Sequence, residues 1–431
     1  MNIAIAGYGV EGEANYNYFV QQGHDVTIYD EAEVPGRPVP NGAKFHNGPK
    51  IFRGLHDYDM VVRTASLPPH FIVTDGKVWS STNEFFATCP APIIGVTGTK
   101  GKGTTSSLIT SILRAAGHTV HLVGNIGQPS LAVLPKIRRD HIVVFEMSSF
   151  QLWDLERSPH VAVVLMIEPD HLDVHADFKD YIRAKSNICR YQTADDVCFY
   201  HPSNEWSAKI AKASVLGDHI RYNTRDAGSV YAEDGEFRVE GETICSVSEL
   251  SLPGAHNIEN ACAAISAARV FTLDNRAIEK GLRVFEGLPH RLKFIREIDG
   301  VKYYDDNYSS APLAIKAAIY AFDVPELLIC GGYDRKLDFD SLAKSIVAKG
   351  NVKRVIVYGQ TKHRIAEALR ANGYTAIDLA TIDDLNLVVK KARSLADKGD
   401  VIIMSPGCPS FDMFKNFTER GEKFVSIVNS L

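Results

Sequence analysis

Much of what marks specialised proteins is missing from this chain. Its 431 residues carry 47 Lys and Arg against 52 Asp and Glu, a net charge of −5. Such a balance offers neither a basic surface for nucleic acid nor a polybasic patch for a membrane. The seven cysteines (Cys89, Cys189, Cys198, Cys245, Cys262, Cys330, Cys408) are scattered, odd in number and form no CxxC pair. This argues against a disulfide framework and a zinc site and points to a reducing compartment. No uncharged run approaches the roughly 20 residues that cross a bilayer. The chain opens directly on strand-like Met1-Asn2-Ile3-Ala4, without a basic leader and cleavage site, so the expected location is the cytoplasm. No internal repeat or low-complexity segment is present. What remains is 45% hydrophobic and 23% charged, an ordinary globular composition. Its length predicts roughly two to four domains.

The most informative stretch is Ile93-Ile94-Gly95-Val96-Thr97-Gly98-Thr99-Lys100-Gly101-Lys102-Gly103-Thr104-Thr105. An apolar strand runs into a glycine turn, a lysine and hydroxyl residues, and then a helical pattern over residues 106–116. Backbone N–H groups and a helix dipole converge there, which suits a phosphate. The lysine adds a point charge and a hydroxyl can ligate Mg²⁺. Gly103 stands where Ser or Thr usually follows the lysine, so Thr104 or Thr105 must supply that hydroxyl. An ordinary glycine turn would explain the glycines but not this order of strand, lysine, hydroxyls and helix.

Around it the chain reads as α/β throughout. Residues 2–30 form a βαβ opening with Gly7, Gly9 and Gly12 in a GxGxxG turn, and Asp30 follows about 18 positions later, an arrangement that holds pyrophosphate and ribose in dinucleotide-binding folds. A further strand is expected over residues 58–63, and Ser80-Ser81-Thr82-Asn83-Glu84 could cap a short helix. Pro90-Ala91-Pro92 reads as a linker. Strands over 119–123, 142–145 and 161–167 follow, and the last two end in Glu146 and in Asp170-His171. Carboxylates at parallel strand ends stand where a nucleoside-triphosphatase needs a magnesium ligand. Lys185 lies in a helical stretch over 177–191. Short alternating runs over 196–252 suggest an antiparallel insertion, and an alanine-rich helix over 259–270 follows His256-Asn257. Strands over 301–304, 327–330, 354–358 and 401–404 alternate with helices in a third α/β region. The expected domains are 1–90, 91–290 and 291–431. They comprise a Rossmann-like domain, a central P-loop ATPase-type parallel sheet with a small antiparallel insertion, and a second Rossmann-like domain.

With these pieces in order, the chain resembles the Mur ligases over its whole length. These are ATP-dependent amino-acid ligases of peptidoglycan precursor synthesis, and the likeness is greatest to their glutamate-adding branch. It rests on residues 95–105, Gly124-Asn125-Ile126-Gly127, Glu146-Met147-Ser148-Ser149-Phe150-Gln151-Leu152, Asp170-His171-Leu172-Asp173, His256-Asn257, Leu288-Pro289-His290-Arg291 and Ser405-Pro406-Gly407-Cys408-Pro409-Ser410-Phe411-Asp412-Met413-Phe414-Lys415-Asn416-Phe417. The resemblance implies a monomeric ligase that activates UDP-N-acetylmuramoyl-L-alanine as an acyl phosphate and adds glutamate, D-glutamate above all. ATP would meet Gly98, Thr99, Gly101, Lys102, Gly103, Thr104, Thr105, Asn257, Arg291 and Asp306. Mg²⁺, as two ions, would meet Thr104, Glu146, His171 and a carbamylated Lys185, and Lys102, His171 and Lys185 would be catalytic. The UDP substrate would meet Gly7, Gly9, Gly12, Asp30, Asn125 and Ser148, and glutamate would meet Ser310, Arg335, Lys336, Ser410 and Phe417. Closure of the third domain over the central one would keep water from the acyl phosphate.

The pattern departs from that branch at Asp305-Asp306-Asn307-Tyr308-Ser309-Ser310, where the branch carries Asn-Asp-Ser-Lys-Ala-Thr and Tyr308 replaces the lysine. The run is closer to the D-alanyl-D-alanine-adding branch. Gly331-Gly332-Tyr333-Asp334-Arg335-Lys336 still offers two cations to an acidic amino acid. A ligase for L-glutamate, or one like folylpolyglutamate synthetase, which shares Gly-Lys-Gly-Ser, is the alternative. The latter lacks an N-terminal GxGxxG domain. A nicotinamide dehydrogenase would leave Lys102, Glu146 and His171 without a role.

Overall fold

The computed structural model describes residues 1–431 and divides the chain into two compact units. The first comprises Met1–Leu250 and Ile258–Phe285, the second Ser251–Asn257 and Glu286–Leu431.

The first unit opens with a five-stranded parallel sheet of β1 (Asn2–Ala6), β2 (Asp25–Asp30), β3 (Lys44–Asn47), β4 (Met60–Arg63) and β5 (Lys77–Ser80), in the order β3-β2-β1-β4-β5. The order reverses at β1, and the carboxyl ends of β1 and β4 therefore splay into a crevice. Ser80 caps the helix Ser81–Thr88 by accepting from the Asn83 N–H.

The second sheet holds β6 (Ile93–Thr97), β7 (Val120–Gly124), β8 (Ile142–Glu146), β9 (Val161–Val164), β10 (Val197–Tyr200) and β11 (Asp218–Arg221), in the order β11-β10-β9-β6-β8-β7. All its pairings are parallel. β6 lies inside the sheet with every residue buried, which is why it reads as an apolar run without alternation. The antiparallel insertion is smaller than the sequence suggests. Residues 197–221 extend the parallel sheet, and only β12 (Val230–Glu233), β13 (Glu236–Val239) and β14 (Glu242–Ser246) pair antiparallel. Short alternating runs fit either an edge of a parallel sheet or a meander, so periodicity alone does not separate them.

The two sheets of this unit share one core. Ile3, Ile5 and Phe19 belong to the same buried cluster as Val143, Phe145 and Val164, and the Phe85 and Phe145 rings meet at 5.5 Å. Ala91, within the expected linker, is itself buried there, so the Pro90-Ala91-Pro92 stretch is packed and not a loose tether. Arg63, fully buried at the end of β4, forks onto Asp154 at 2.8 and 2.5 Å and donates to the Phe150 carbonyl. Removing one partner of such a pair costs about 3–5 kcal/mol, because the other charge is left buried.

The second unit is built on β15 (Lys293–Ile298), β16 (Val301–Asp305), β17 (Glu326–Gly331), β18 (Val352–Tyr358), β19 (Ile377–Leu379) and β20 (Val401–Met404), ordered β15-β16-β20-β17-β18-β19. The sheet is parallel except for the β15–β16 hairpin, an edge strand absent from the sequence reading. Its exposed and half-buried residues give β15 no apolar run to detect.

Candidate functional site

The N-terminal crevice is a cleft of about 380 Å³ lined by Gly7, Tyr8, Gly9, Asp30, Thr64 and Ser66, among others. A Cβ on Gly12 would lie 2.2 Å from the Gly7 carbonyl oxygen, and one on Gly7 would strike the Thr64 hydroxyl at 2.4 Å. Gly9 has open space on that side, so its backbone can be approached. Asp30 accepts from the Tyr8 and Ala32 N–H groups at 2.5 and 2.8 Å. Its carboxylate thus holds the turn as well as lining the cleft. Thr64, Ser66 and Leu67 escaped the sequence reading. They sit on the loop after β4, whose carbonyls at 64, 65 and 67 accept from Arg63. An arginine ending an apolar strand beside hydroxyl residues was the available signal.

The phosphate loop follows β6 as expected. Gly101, with φ of 83°, precedes the helix Lys102–Ala115 and offers no side-chain cap, so the first N–H groups of the helix keep their donor capacity. Thr99 anchors the loop: its hydroxyl meets the Tyr181 hydroxyl and the Glu168 carbonyl, each at 3.0 Å. Lys102 Nζ donates to the Gly98 and Thr99 carbonyls at 3.0 Å. The two threonines differ sharply. Thr105 is fully buried with its hydroxyl 3.5 Å from Asn260 Oδ1, whereas Thr104 is half-buried.

Lys185 is buried at 1% exposure on the helix Phe178–Arg190. Its Nζ donates to Thr97 Oγ1 and to the same Gly98 carbonyl, both at 3.0 Å. Burial, with the nearby Lys102 charge, pushes its pKa well below the usual lysine range. Glu146 ends β8 almost fully buried. One carboxylate oxygen accepts from Asn125 Nδ2 at 2.9 Å, while Oε2 is buried without a hydrogen-bond partner. Asn125 therefore orients Glu146 here. Ser148 forms a capping box with Gln151, so its hydroxyl serves a helix start. His171, in the left-handed region at φ 54°, is exposed and lies 3.5 Å from Asp170. No three His, Cys, Asp or Glu side chains close into a metal cluster.

A further residue was missed by the sequence reading. His175 is buried and bridges Ser149 Oγ at 3.0 Å and Asp180 at 2.8 Å, joining the turn after β8 to the helix that carries Lys185. Burial holds its pKa below the usual histidine value despite Asp180.

In the second unit, Asp306 is buried and accepts from the Ser309 and Ser405 hydroxyls and from the Leu292 N–H. Burial pushes its pKa up to about 6. It ties three segments together. Asn257 donates to the Pro253 carbonyl. Arg291 lies 3.8 Å over the Tyr308 ring, and Tyr308 meets Phe417 edge-on at 5.2 Å. Ser410 is buried and Ser310 exposed. Lys336 is paired to Asp334 at 3.1 Å, and Arg364 takes the same carboxylate. Arg335 is exposed with no such partner.

The first unit thus carries a glycine-rich phosphate loop with two lysines, and the second is a separate α/β unit that carries exposed cations and aromatics. Family models agree with it: the Mur ligase middle domain matches residues 96–268, and the Mur ligase glutamate ligase domain matches residues 290–408. The chain belongs to the Mur ligase family of ATP-dependent, amide-bond-forming ligases. Within it, the chain is 35% identical to the UDP-N-acetylmuramoylalanine–D-glutamate ligase of Clostridium kluyveri, with 100% of this chain and 96% of that protein covered. It is 36% identical to the enzyme of the same name from Acetivibrio thermocellus, with the same coverage. The crystal structure of the UDP-N-acetylmuramate–alanine ligase MurC from Thermotoga maritima superposes with a TM-score of 0.62 at 16% identity, over 100% of this chain and 99% of that one, and speaks to the fold alone.

Proposed function

We propose that this protein joins the carboxyl group of UDP-N-acetylmuramoyl-L-alanine to the amine of D-glutamate and cleaves ATP to ADP and phosphate. The observation that carries the reading is the convergence of Lys102 and Lys185 on the Gly98 carbonyl, in a chain whose full-length relatives bear that name. The substrate carboxylate attacks the γ-phosphorus and the bond to the β-phosphate oxygen breaks. The glutamate amine then attacks the acyl carbon and phosphate leaves. Lys102 and the N–H groups at the start of its helix receive the transferred charge. Thr104, the accessible hydroxyl, serves as ligand, and Thr105 packs the loop.

Glu146 and His171, with Thr104 and Lys185, would hold Mg²⁺, which lowers the repulsion between approaching anions when bound. The buried, unpartnered Glu146 Oε2 suits a cation. Lys185 suits carbamylation. Burial that lowers the pKa makes the neutral amine easier to reach, and a neutral amine can form an N–C bond to CO₂ and release a proton, giving an anionic ligand where an ammonium would repel the metal. The glycine turn after β1 would cradle the UDP pyrophosphate, and Arg335, Ser310, Ser410 and Phe417 would meet the amino acid.

The test is phosphate release from ATP and Mg²⁺. It should require UDP-N-acetylmuramoyl-L-alanine and D-glutamate together. Turnover with L-glutamate, with D-alanyl-D-alanine or with a folate in place of the muramoyl substrate would redirect the assignment.

A further inference from the structure

Tyr308 stands where the glutamate-adding branch carries a lysine, and an arginine is packed against it. The structure around Arg291 shows how. The Arg291 guanidinium sits 3.8 Å over the face of the Tyr308 ring, and Phe417 braces that ring edge-on at 5.2 Å. The arginine is half-buried, yet its guanidinium makes no hydrogen bond or ion pair. A guanidinium stacked by its face keeps the N–H donors of its edge available in the fork that matches two oxygens of an anion.

The backbone is fixed just as firmly. His290 and Leu292, on either side of Arg291, both lie in the left-handed region, at φ 60° and 45°. For side chains of this size such conformations cost of order 1–3 kcal/mol each and persist only where the surroundings impose them. Here the 306–309 turn imposes them. The Tyr308 N–H donates to the His290 carbonyl at 2.8 Å, and the Leu292 N–H donates to Asp306 at 3.1 Å. The same short turn therefore holds the arginine's backbone with its amide and carboxylate, and its side chain with its ring.

We infer that Tyr308 is the positioning residue that presents Arg291 edge-first to a phosphate of the bound nucleotide. The inference rests on the reading of Arg291 as a nucleotide contact. Tyr308 itself donates nothing to the anion.

The experiment measures equilibrium binding of ATP with Mg²⁺, alongside KM for ATP and for D-glutamate. The variants are Y308L, Y308F, R291A and R291A/Y308L. Y308L should weaken ATP binding about tenfold, the upper range for a stacked cation, with little change in the KM for glutamate. Y308F keeps the ring and should restore most of that loss. The double variant should bind ATP no more weakly than R291A alone, because Tyr308 acts only through the arginine. The inference is overturned if Y308L shifts only the glutamate KM, if Y308F is as impaired as Y308L, or if the two losses add in full. Because nucleotide binding is read directly, the outcome does not depend on which amino acid is added. Wild-type protein that binds ATP with this coupling but does not use D-glutamate would refute the proposed acceptor and leave the inference standing.

Discussion

The phosphate-loop cluster of the first unit and the acceptor residues of the second are built in opposite ways. Around the loop the central polar groups are buried or held by partners, with Glu146 Oε2 left unpartnered and His171 exposed. Lys185 is shut in on Thr97 and Gly98, Glu146 is held by Asn125, and Thr99 is pinned at Tyr181 and Glu168. Across the proposed acceptor residues, Ser310, Arg335, Lys336 and Phe417 are exposed, and only Ser410 is buried. The first arrangement suits a reaction whose charges develop in one fixed place, where preorganised dipoles gain most from exclusion of water. The second leaves side chains able to turn toward a substrate, and on the proposed acceptor roles the choice of amino acid would rest on few and replaceable contacts.

The largest predicted effect breaks the first half of the comparison. Lys185→Ala should lower kcat by about a hundredfold or more, the scale of losing a preorganised charge from such a site. Millimolar short carboxylates should restore part of the activity by entering the vacated volume as anions. Unchanged activity would remove Lys185 from the metal site. The two adjacent threonines sharpen the same half. Thr104→Ala should lower kcat about tenfold to a hundredfold with a raised Mg²⁺ requirement, the scale of losing a ligand or its support. Thr105→Ala, which loses only a long contact to Asn260, should show mainly a loss of stability near 1 kcal/mol. The reverse order would assign the metal to Thr105.

The acceptor half predicts a smaller and more selective effect. Part of the expected pair of cations is already spent, because Lys336 is neutralised by Asp334 while Arg335 is not. Arg335→Ala should therefore raise the KM for the amino acid about tenfold, whereas Lys336→Ala should change it less than about threefold, as for an exposed ion pair. Equal effects on the KM for ATP would mean that neither cation holds the glutamate side chain.

The same contrast explains what could be read from the residues. The phosphate loop, Glu146 at its strand end and the buried strands were legible because glycine, lysine and hydroxyl spacing reports backbone geometry directly. Asp306, Asn125 and Ser148 could be located but not understood. Each turns its polar group inward, to Ser309 and Ser405, to Glu146 and to Gln151, and only coordinates reveal such partners. The β15 edge strand and the parallel pairing of residues 197–221 were hidden for another reason: strand pairing direction leaves no mark on a short alternating run. His175 could not be singled out, since one histidine in a polar stretch gives no hint that it bridges Ser149 to Asp180.

The smallest effect tests whether the second unit carries a polar core of its own. His290 donates to, or shares a proton with, Asp305 at 2.7 Å, and Asp305 also accepts from Asn307, whose side chain takes the buried Arg420. The Asp305 hydrogen bond raises the His290 pKa above the usual histidine value. A raised histidine pKa means that the folded state binds the proton more tightly than the unfolded chain. The stabilisation is thus complete below about pH 6.5, the unfolded value, and is lost as pH climbs through the folded value. Asp306 also loses stability with rising pH, because burial raises its pKa to about 6, but that loss falls between the ordinary carboxylate range and about 6. Glu326 on β17, whose burial raises its pKa to about 8, adds a loss that reaches into the interval from pH 6.5 to 8.5, so the histidine's share there is the difference between the wild type and a variant without it. Opening free energies from amide exchange in β16 and β20 should fall across that interval, and by more in the wild type than without the histidine. His290→Gln should lessen that slope while lowering stability at pH 6. A slope that the substitution leaves unchanged would place the proton elsewhere in the network and leave His290 as packing alone.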